Sequence, residues 1–407
     1  MNYVIIITIC VLLLLAYAFT VSANKTQIPS VILLILMGWL VKQGTTLLNI
    51  VIPDLNGLLP FFGTVGLILI VLEGSLEVQL NKRKLPFIGK TVVTAIVPLV
   101  ISAFAIGHFF YYFLDADYKQ GLINAIPLCI ISSAIAISSV GNLSSFNKEF
   151  AIYESSMSDI IGVLFFNFLV LNHVINLETF ANFGLQILMM LAISFIATAF
   201  LAFLLSRIDH HVKFAPIVLF IILIYAVSEI YHLPALIFIM IFGLIMGNFD
   251  GLEHYSWIKF LKPRALQKEV HKFKELIFEA AFLVRSLFFI LFGYLIRTED
   301  VINPQTFELA VGIVILIYLI RAIQLKIYKV KLMPLLFVAP RGLITILLFL
   351  GIPSTLKIDL VNNALIIQVI VLTALIMMLG LMFNKTDKDK TQSDSDSALK
   401  IDINVPL

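Results

Sequence analysis

Long apolar runs constrain this chain more than any other feature. Thirteen of them are separated by charges, Pro, Asn and Gly, near residues 3–23, 28–42, 57–79, 87–113, 121–141, 150–172, 182–205, 214–231, 233–249, 276–296, 307–325, 332–352 and 360–383. A helix that crosses the hydrocarbon core needs about 20 predominantly apolar residues, since each backbone polar group must find its partner within the segment. Thirteen crossings with their connections use up the 407 residues and leave no room for a large soluble domain. The composition agrees, with 60% hydrophobic and 13% charged residues, against roughly 25% charged in soluble domains. The fold class is therefore an all-α polytopic membrane protein of about 13 transmembrane helices. A cytosolic enzyme, a secreted disulfide scaffold and a nucleic-acid binder are excluded. Cys10 and Cys129 both fall inside apolar runs and read as small core residues, without disulfide or metal spacing.

The basic residues orient the chain. Counted over alternate loops, Lys and Arg divide 21 to four, the minority being Lys42, Lys119, Arg297 and Lys357. An odd number of crossings then puts the amino terminus outside and the carboxyl terminus in the cytoplasm. The first run lacks a basic segment before it and reads as a retained helix, not a cleaved leader. Residues 1–383 form one membrane domain. From Asn384 the composition turns polar, which predicts a short disordered cytoplasmic tail over 384–407. Residues 252–275 mix Trp257, Phe260 and Leu261 with basic side chains, a pattern that predicts an amphipathic linker on the cytoplasmic surface.

Ionisable side chains at membrane depth are costly and mark pathways or pairs by default. Here they are Glu73, Glu77, Glu154, Asp159, Glu229, Arg285, Arg321 and Arg341. Glu77, beside a basic loop, reads as snorkelling to the interface, and Glu229 as interfacial. The densest signal is Tyr153-Glu154-Ser155-Ser156-Met157-Ser158-Asp159-Ile160-Ile161-Gly162. At about 100° per residue, Glu154 and Asp159 point roughly 140° apart, so they take separate jobs. Ser155, Asp159 and Gly162 share a face, which predicts a carboxylate, a hydroxyl and a place where another backbone comes close; Ser158 adds an oxygen. Hard monovalent cations favour such oxygens, and a desolvated carboxylate holds a proton more tightly, so one carboxylate can bind either.

Two further segments complete the pattern. Ser132, Ser133, Ser138 and Ser139 with Gly141 predict a fifth helix that is broken or faces water, its hydroxyls and freed carbonyls able to meet a cation. Pro340-Arg341-Gly342 in the twelfth run predicts a mid-membrane break holding a fixed cation. The two breaks stand seven segments apart, the offset an inverted repeat of segments one to six onto eight to thirteen requires.

Together these elements resemble the monovalent cation:proton antiporter superfamily, closest to its sodium/proton exchanger branch. Glu154-Ser155-Ser156-Met157-Ser158-Asp159 is similar to the family's ion-binding helix, Ile317-Tyr318-Leu319-Ile320-Arg321-Ala322 to its basic helix, Ala339-Pro340-Arg341-Gly342 to its second broken helix, and Leu72-Glu73-Gly74-Ser75-Leu76-Glu77 to the end of its third. The resemblance implies an inverted-repeat fold with two crossing broken helices. It makes Asp159 the cation and proton carrier, helped by Ser158, Ser155, Ser132 and Ser133. It pairs Glu154 with Arg321, gives Arg341 to the broken helix and leaves Glu73 as a further candidate. It also implies a homodimer in the cell (inner) membrane that exchanges sodium, or lithium or potassium, for protons without a cofactor. Ser158 stands where electrogenic members carry a second Asp, which points to electroneutral one-for-one exchange. Ser132-Ser133-Ala134-Ile135 lacks the branch's usual acid and proline and looks more like the potassium-efflux branch, so potassium is the alternative cation. Arg285 is left to balance Glu73 or Glu279. No paired-Asp, Ser with His or His-Glu-x-x-His arrangement suited to an intramembrane hydrolase occurs at membrane depth. A non-transport membrane protein remains the remote alternative.

Overall fold

The structure is a computed structural model that describes residues 2–26, 28–49, 55, 57–78, 85–172, 174–207, 213–231, 233–248 and 263–383. The tail over 384–407 and the first part of the expected linker lie outside the described residues. In chain order the helices are α1 (Asn2–Thr26), α2 (Ser30–Leu47), α3 (Leu58–Glu77), α4 (Leu85–Phe113), α5 (Tyr118–Cys129), α6 (Ser133–Ser139), α7 (Ser145–Leu171), α8 (Leu177–Arg207), α9 (Phe214–Ile230), α10 (Leu236–Gly247), α11 (Pro263–Leu295), α12 (Thr298–Ile302), α13 (Pro304–Ile327), α14 (Leu343–Gly351) and α15 (Asn363–Phe383). Among the described residues nine helical spans are long and apolar enough to cross a membrane, with α5 and α6 counted as one; shorter apolar stretches lie in α1, α9 and α10. The fifth apolar run is the broken pair α5–α6, and the twelfth is a run of turns leading into α14.

The helices sort into two packing groups. In one, α4, α5, α6, α7, α13, α14 and α15 pack on one another; in the other, α1, α2, α3, α8, α9, α10 and α11 do so. The first is the bundle and the second the scaffold. They meet chiefly along α3, which touches α6, α7 and α14.

In lipid no hydrophobic force draws helices together, so association depends on close packing, for which small residues are needed. The scaffold shows this between α2 and α11. A methyl group on Gly38 would strike the Ile290 carbonyl, and one on Gly293 the Ile35 carbonyl. Each glycine thus lets the other helix's backbone approach. Gly293→Ala is expected to cost about 1–3 kcal/mol through forced separation of the two helices. Thermal unfolding in detergent, read against wild type, checks it.

The expected surface linker is corrected in part: residues 263–275 are the first turns of α11. Val270, Phe273 and Ile277 continue its inward face, and Phe273 meets Phe214 and Phe242 edgewise or tilted. The polar side carries Glu269, bridged to Lys213 at 2.5 Å and Lys272 at 3.2 Å. An amphipathic pattern that finds an apolar partner within the protein continues a transmembrane helix and does not lie on a membrane surface.

Candidate functional site

A break in a transmembrane helix frees N–H and C=O groups, and at membrane depth each must find a partner within the protein. Between α5 and α6, residues Ile130–Ser132 are extended, and three N–H groups leave the helical ladder. That of Ile131 donates to Ser158 Oγ at 3.0 Å, that of Ser132 to the Pro340 carbonyl at 2.8 Å, and that of Ser133 to Asp159 Oδ2 at 3.2 Å. The Leu128 carbonyl, which Ser132 N would have met in an unbroken helix, accepts from Arg341 Nε at 2.7 Å. The two broken segments therefore cross with an exchange of bonds: one gives an N–H to Pro340, and the other returns a guanidinium N–H to Leu128. As a cation at the carbonyl end of α5, Arg341 also opposes the partial negative charge there. Its Nη1 donates to the Ala339 carbonyl at 2.8 Å, and its backbone N–H to Thr373 Oγ1 at 3.1 Å.

The second break has an equally definite cause. Pro340 has no N–H to give to the Leu336 carbonyl. The Leu335 carbonyl accepts from Arg321 Nε at 3.0 Å and Nη2 at 2.8 Å, and the Val338 carbonyl from Nη2 at 3.0 Å. Continuous helix would have used those carbonyls for its own ladder, so residues 333–337 form turns instead of a half-helix. Arg321 is held in turn by Glu154, with Nη2 2.8 Å from Oε2 and Nη1 3.2 Å from Oε1. The side chains are 3% and 1% exposed. This is a two-pronged buried pair, in which a planar guanidinium matches a carboxylate atom for atom.

Asp159 lies one and a half turns further along α7, 2% exposed, and faces the other break. Its Oδ2 accepts from the Ser133 backbone and from the Ser133 hydroxyl. Its Oδ1 is buried and has no hydrogen-bond partner among the described residues. Glu154 and Asp159 thus have separate partners: Glu154 is saturated by a fixed cation, whereas Asp159 keeps one acceptor oxygen uncommitted.

The other expected residues fall at different distances from this centre. Ser158 turns its oxygen to the break, where it accepts from Ile131 N–H, and not to Asp159. Ser132 packs its hydroxyl against Gly342 at the crossing. Ser155 is buried on the Asp159 face, but its hydroxyl donates to the Ala151 carbonyl at 2.7 Å, not to the carboxylate. At Gly162 the close neighbour is the side chain of Ile130, not another backbone. Glu73 belongs to the scaffold, where its Oε2 stands 3.4 Å from Arg285 Nη1, both side chains about one-seventh exposed. Glu73 is thereby the partner of Arg285. Glu77 is half-buried and Glu229 exposed.

Other working residues carry neither a charge nor a hydroxyl. Pro98 inside α4 leaves the Thr94 carbonyl without its helical donor, and Gln324 of α13 supplies one, Nε2 to oxygen 2.8 Å. Asn124 Nδ2 donates to the Leu356 carbonyl at 2.7 Å and Gln120 Nε2 to the Lys357 carbonyl at 3.0 Å, fastening the segment after α14 to α5. An uncharged amide in an apolar run was the available signal.

Two crossing broken helices around a buried carboxylate, with a second carboxylate locked to arginine, define an ion-coupled membrane transporter of inverted-repeat build. The sequence model of the transmembrane sodium/hydrogen exchanger family matches residues 10–385. The chain belongs to that family and is a monovalent cation:proton antiporter. Among solved structures it is similar to the sodium proton antiporter MjNhaP1 from Methanocaldococcus jannaschii at pH 8, with a TM-score of 0.66 and 17% identity over 95% of this chain and 97% of that one. An electron-microscopy structure of the same antiporter gives 0.67 and 18%, covering 95% and 96%. At that identity the likeness speaks for the fold. No curated protein matches the chain in sequence.

Proposed function

We propose that the chain is an electroneutral sodium/proton antiporter of the cell membrane, in which Asp159 binds a proton and a sodium ion in turn. The observation that carries this reading is the uncommitted, buried Oδ1 of Asp159 beside the Ser133 donors. A proton or a sodium ion on that oxygen leaves the site neutral, and a bare carboxylate crosses the low-dielectric region only at high cost. Exchange is then coupled because the empty carrier does not return. Ser158, where a second carboxylate would add a charge, supports one-for-one stoichiometry, in which one pH unit drives about a tenfold cation gradient, worth about 1.4 kcal/mol. The bundle carries the crossing and moves against the scaffold, through which two copies pair. The lysine and arginine asymmetry supports an outside amino terminus and a cytoplasmic carboxyl terminus.

The test is a pH jump in proteoliposomes containing purified protein, with sodium or potassium as the only added cation and the membrane potential set by an ionophore. Sodium is expected to release the pH gradient at a rate that does not change when the potential is stepped by 100 mV. A potential-dependent rate overturns electroneutrality. A potassium response exceeding that of sodium favours the second reading, a potassium/proton antiporter, for which the acid-free, proline-free Ser132-Ser133-Ala134-Ile135 speaks.

A further inference from the structure

Behind the crossing, on the side of α4, lies a small cavity lined by Ser102, Ser158, Cys129, Arg321 and Arg341, with Pro98 and Leu99 closing it. Its volume is about 20 Å³, which exceeds the roughly 10–15 Å³ that one water needs and falls short of two. Size alone does not decide whether such a space is wet, since cavities lined by aliphatic groups stay dry. The polar groups decide it.

Arg321 is largely spent: its Nε and Nη2 serve Glu154 and the Leu335 and Val338 carbonyls, and Nη1 gives one of its two N–H groups to Glu154. Cys129 donates to the Ala125 carbonyl at 3.2 Å. Three other groups have more to give. Arg341 uses Nε and Nη1 on Leu128 and Ala339, so its second terminal nitrogen has donors to spare. Ser158 accepts from Ile131 N and keeps its own hydroxyl proton. Ser102 is 3% exposed, and its hydroxyl forms no hydrogen bond within the protein among the described residues, unlike the helix serines Ser75, Ser138, Ser139, Ser155 and Ser194, which donate to their own ladder. A buried hydroxyl left so is costly unless something else meets it.

We propose that this cavity is a binding site for one structural water, which accepts from Arg341 and bridges Ser102 of α4 to Ser158 of α7. The water would join the crossing to the two helices that flank it, and would do so whether or not Asp159 carries the transported ion. A halide is the other guest that a guanidinium and two hydroxyls receive; the volume, fitted to a water, speaks against it.

Filling a dry cavity raises stability, whereas filling one that holds a bonded water lowers it, so the sign of one substitution separates the two. Ser102→Val in the full chain is expected to lower the midpoint of thermal unfolding in detergent by on the order of 2–5 °C. Ser102→Ala, which leaves the water its space and its other partners, should lower it by less than half as much. An unchanged or raised midpoint for Ser102→Val overturns the proposal. If that variant does not fold, a cryo-electron-microscopy map of wild type that resolves ordered waters decides: a peak within hydrogen-bond distance of Arg341 and Ser102 supports it, and no peak overturns it. A wild-type midpoint that falls when gluconate replaces chloride assigns the site to an anion and also overturns it.

Discussion

Asp159→Asn is expected to reduce sodium-coupled proton movement in proteoliposomes to the level of protein-free vesicles, while the protein folds and stays dimeric or monomeric as wild type does. The amide has nearly the shape of the carboxylate and still presents an oxygen to the Ser133 hydroxyl and N–H, so the α5–α6 break keeps its partner. What the amide lacks is a protonation equilibrium and a negative charge for a cation. Loss of both functions with unchanged melting separates a carrier from a structural acid. Retained sodium-dependent proton flux would move the carrier elsewhere on the chain, and Glu73 would be the next carboxylate to examine.

The largest stability effect is expected at the other carboxylate. Glu154→Gln leaves Arg321 buried with its charge uncompensated, and breaking a buried pair in this way costs about 3–5 kcal/mol. The yield of folded protein and its melting temperature should fall together. The double variant Glu154→Gln with Arg321→Met is expected to recover part of the loss, because the stranded charge is gone. Recovery stays incomplete, since the methionine cannot serve the Leu335 and Val338 carbonyls. Unaltered melting with abolished transport would exchange the roles assigned to Glu154 and Asp159.

Much of the fold was legible because lipid makes one demand on every spanning segment, and the apolar runs answer it directly. Each of the thirteen runs coincides with helical or broken-helical structure. Serines clustered without an acid at 132–139 and the run Pro340-Arg341-Gly342 marked both breaks by their density, since single serines and a proline also stand inside unbroken helices. The partners that close those breaks were not legible. Arg341 meets Leu128 across 213 residues and Gln324 meets Thr94 across 230, and no local period encodes such a meeting. Arg285 had two acids to choose from, Glu279 on its own helix and Glu73 212 residues away; only the packing of α3 on α11 selects Glu73. The amphipathic stretch before the tenth span misled for a related reason. An apolar stripe shows that a surface is covered, and Phe214 and Phe242, far off in sequence, cover it here.

The bond from Arg341 to Leu128 also carries a consequence for biogenesis. With 213 residues between them, a ribosome adding 5–20 residues per second synthesises the first half roughly 10–40 s before the guanidinium exists. Until then the Leu128 carbonyl and the Ser132 amide hydrogen lack their final counterparts, Arg341 and Pro340. Standing four residues apart, the two can meet each other in a continuous helix, so the fifth segment can enter the bilayer as an ordinary rod and kink when the later half arrives.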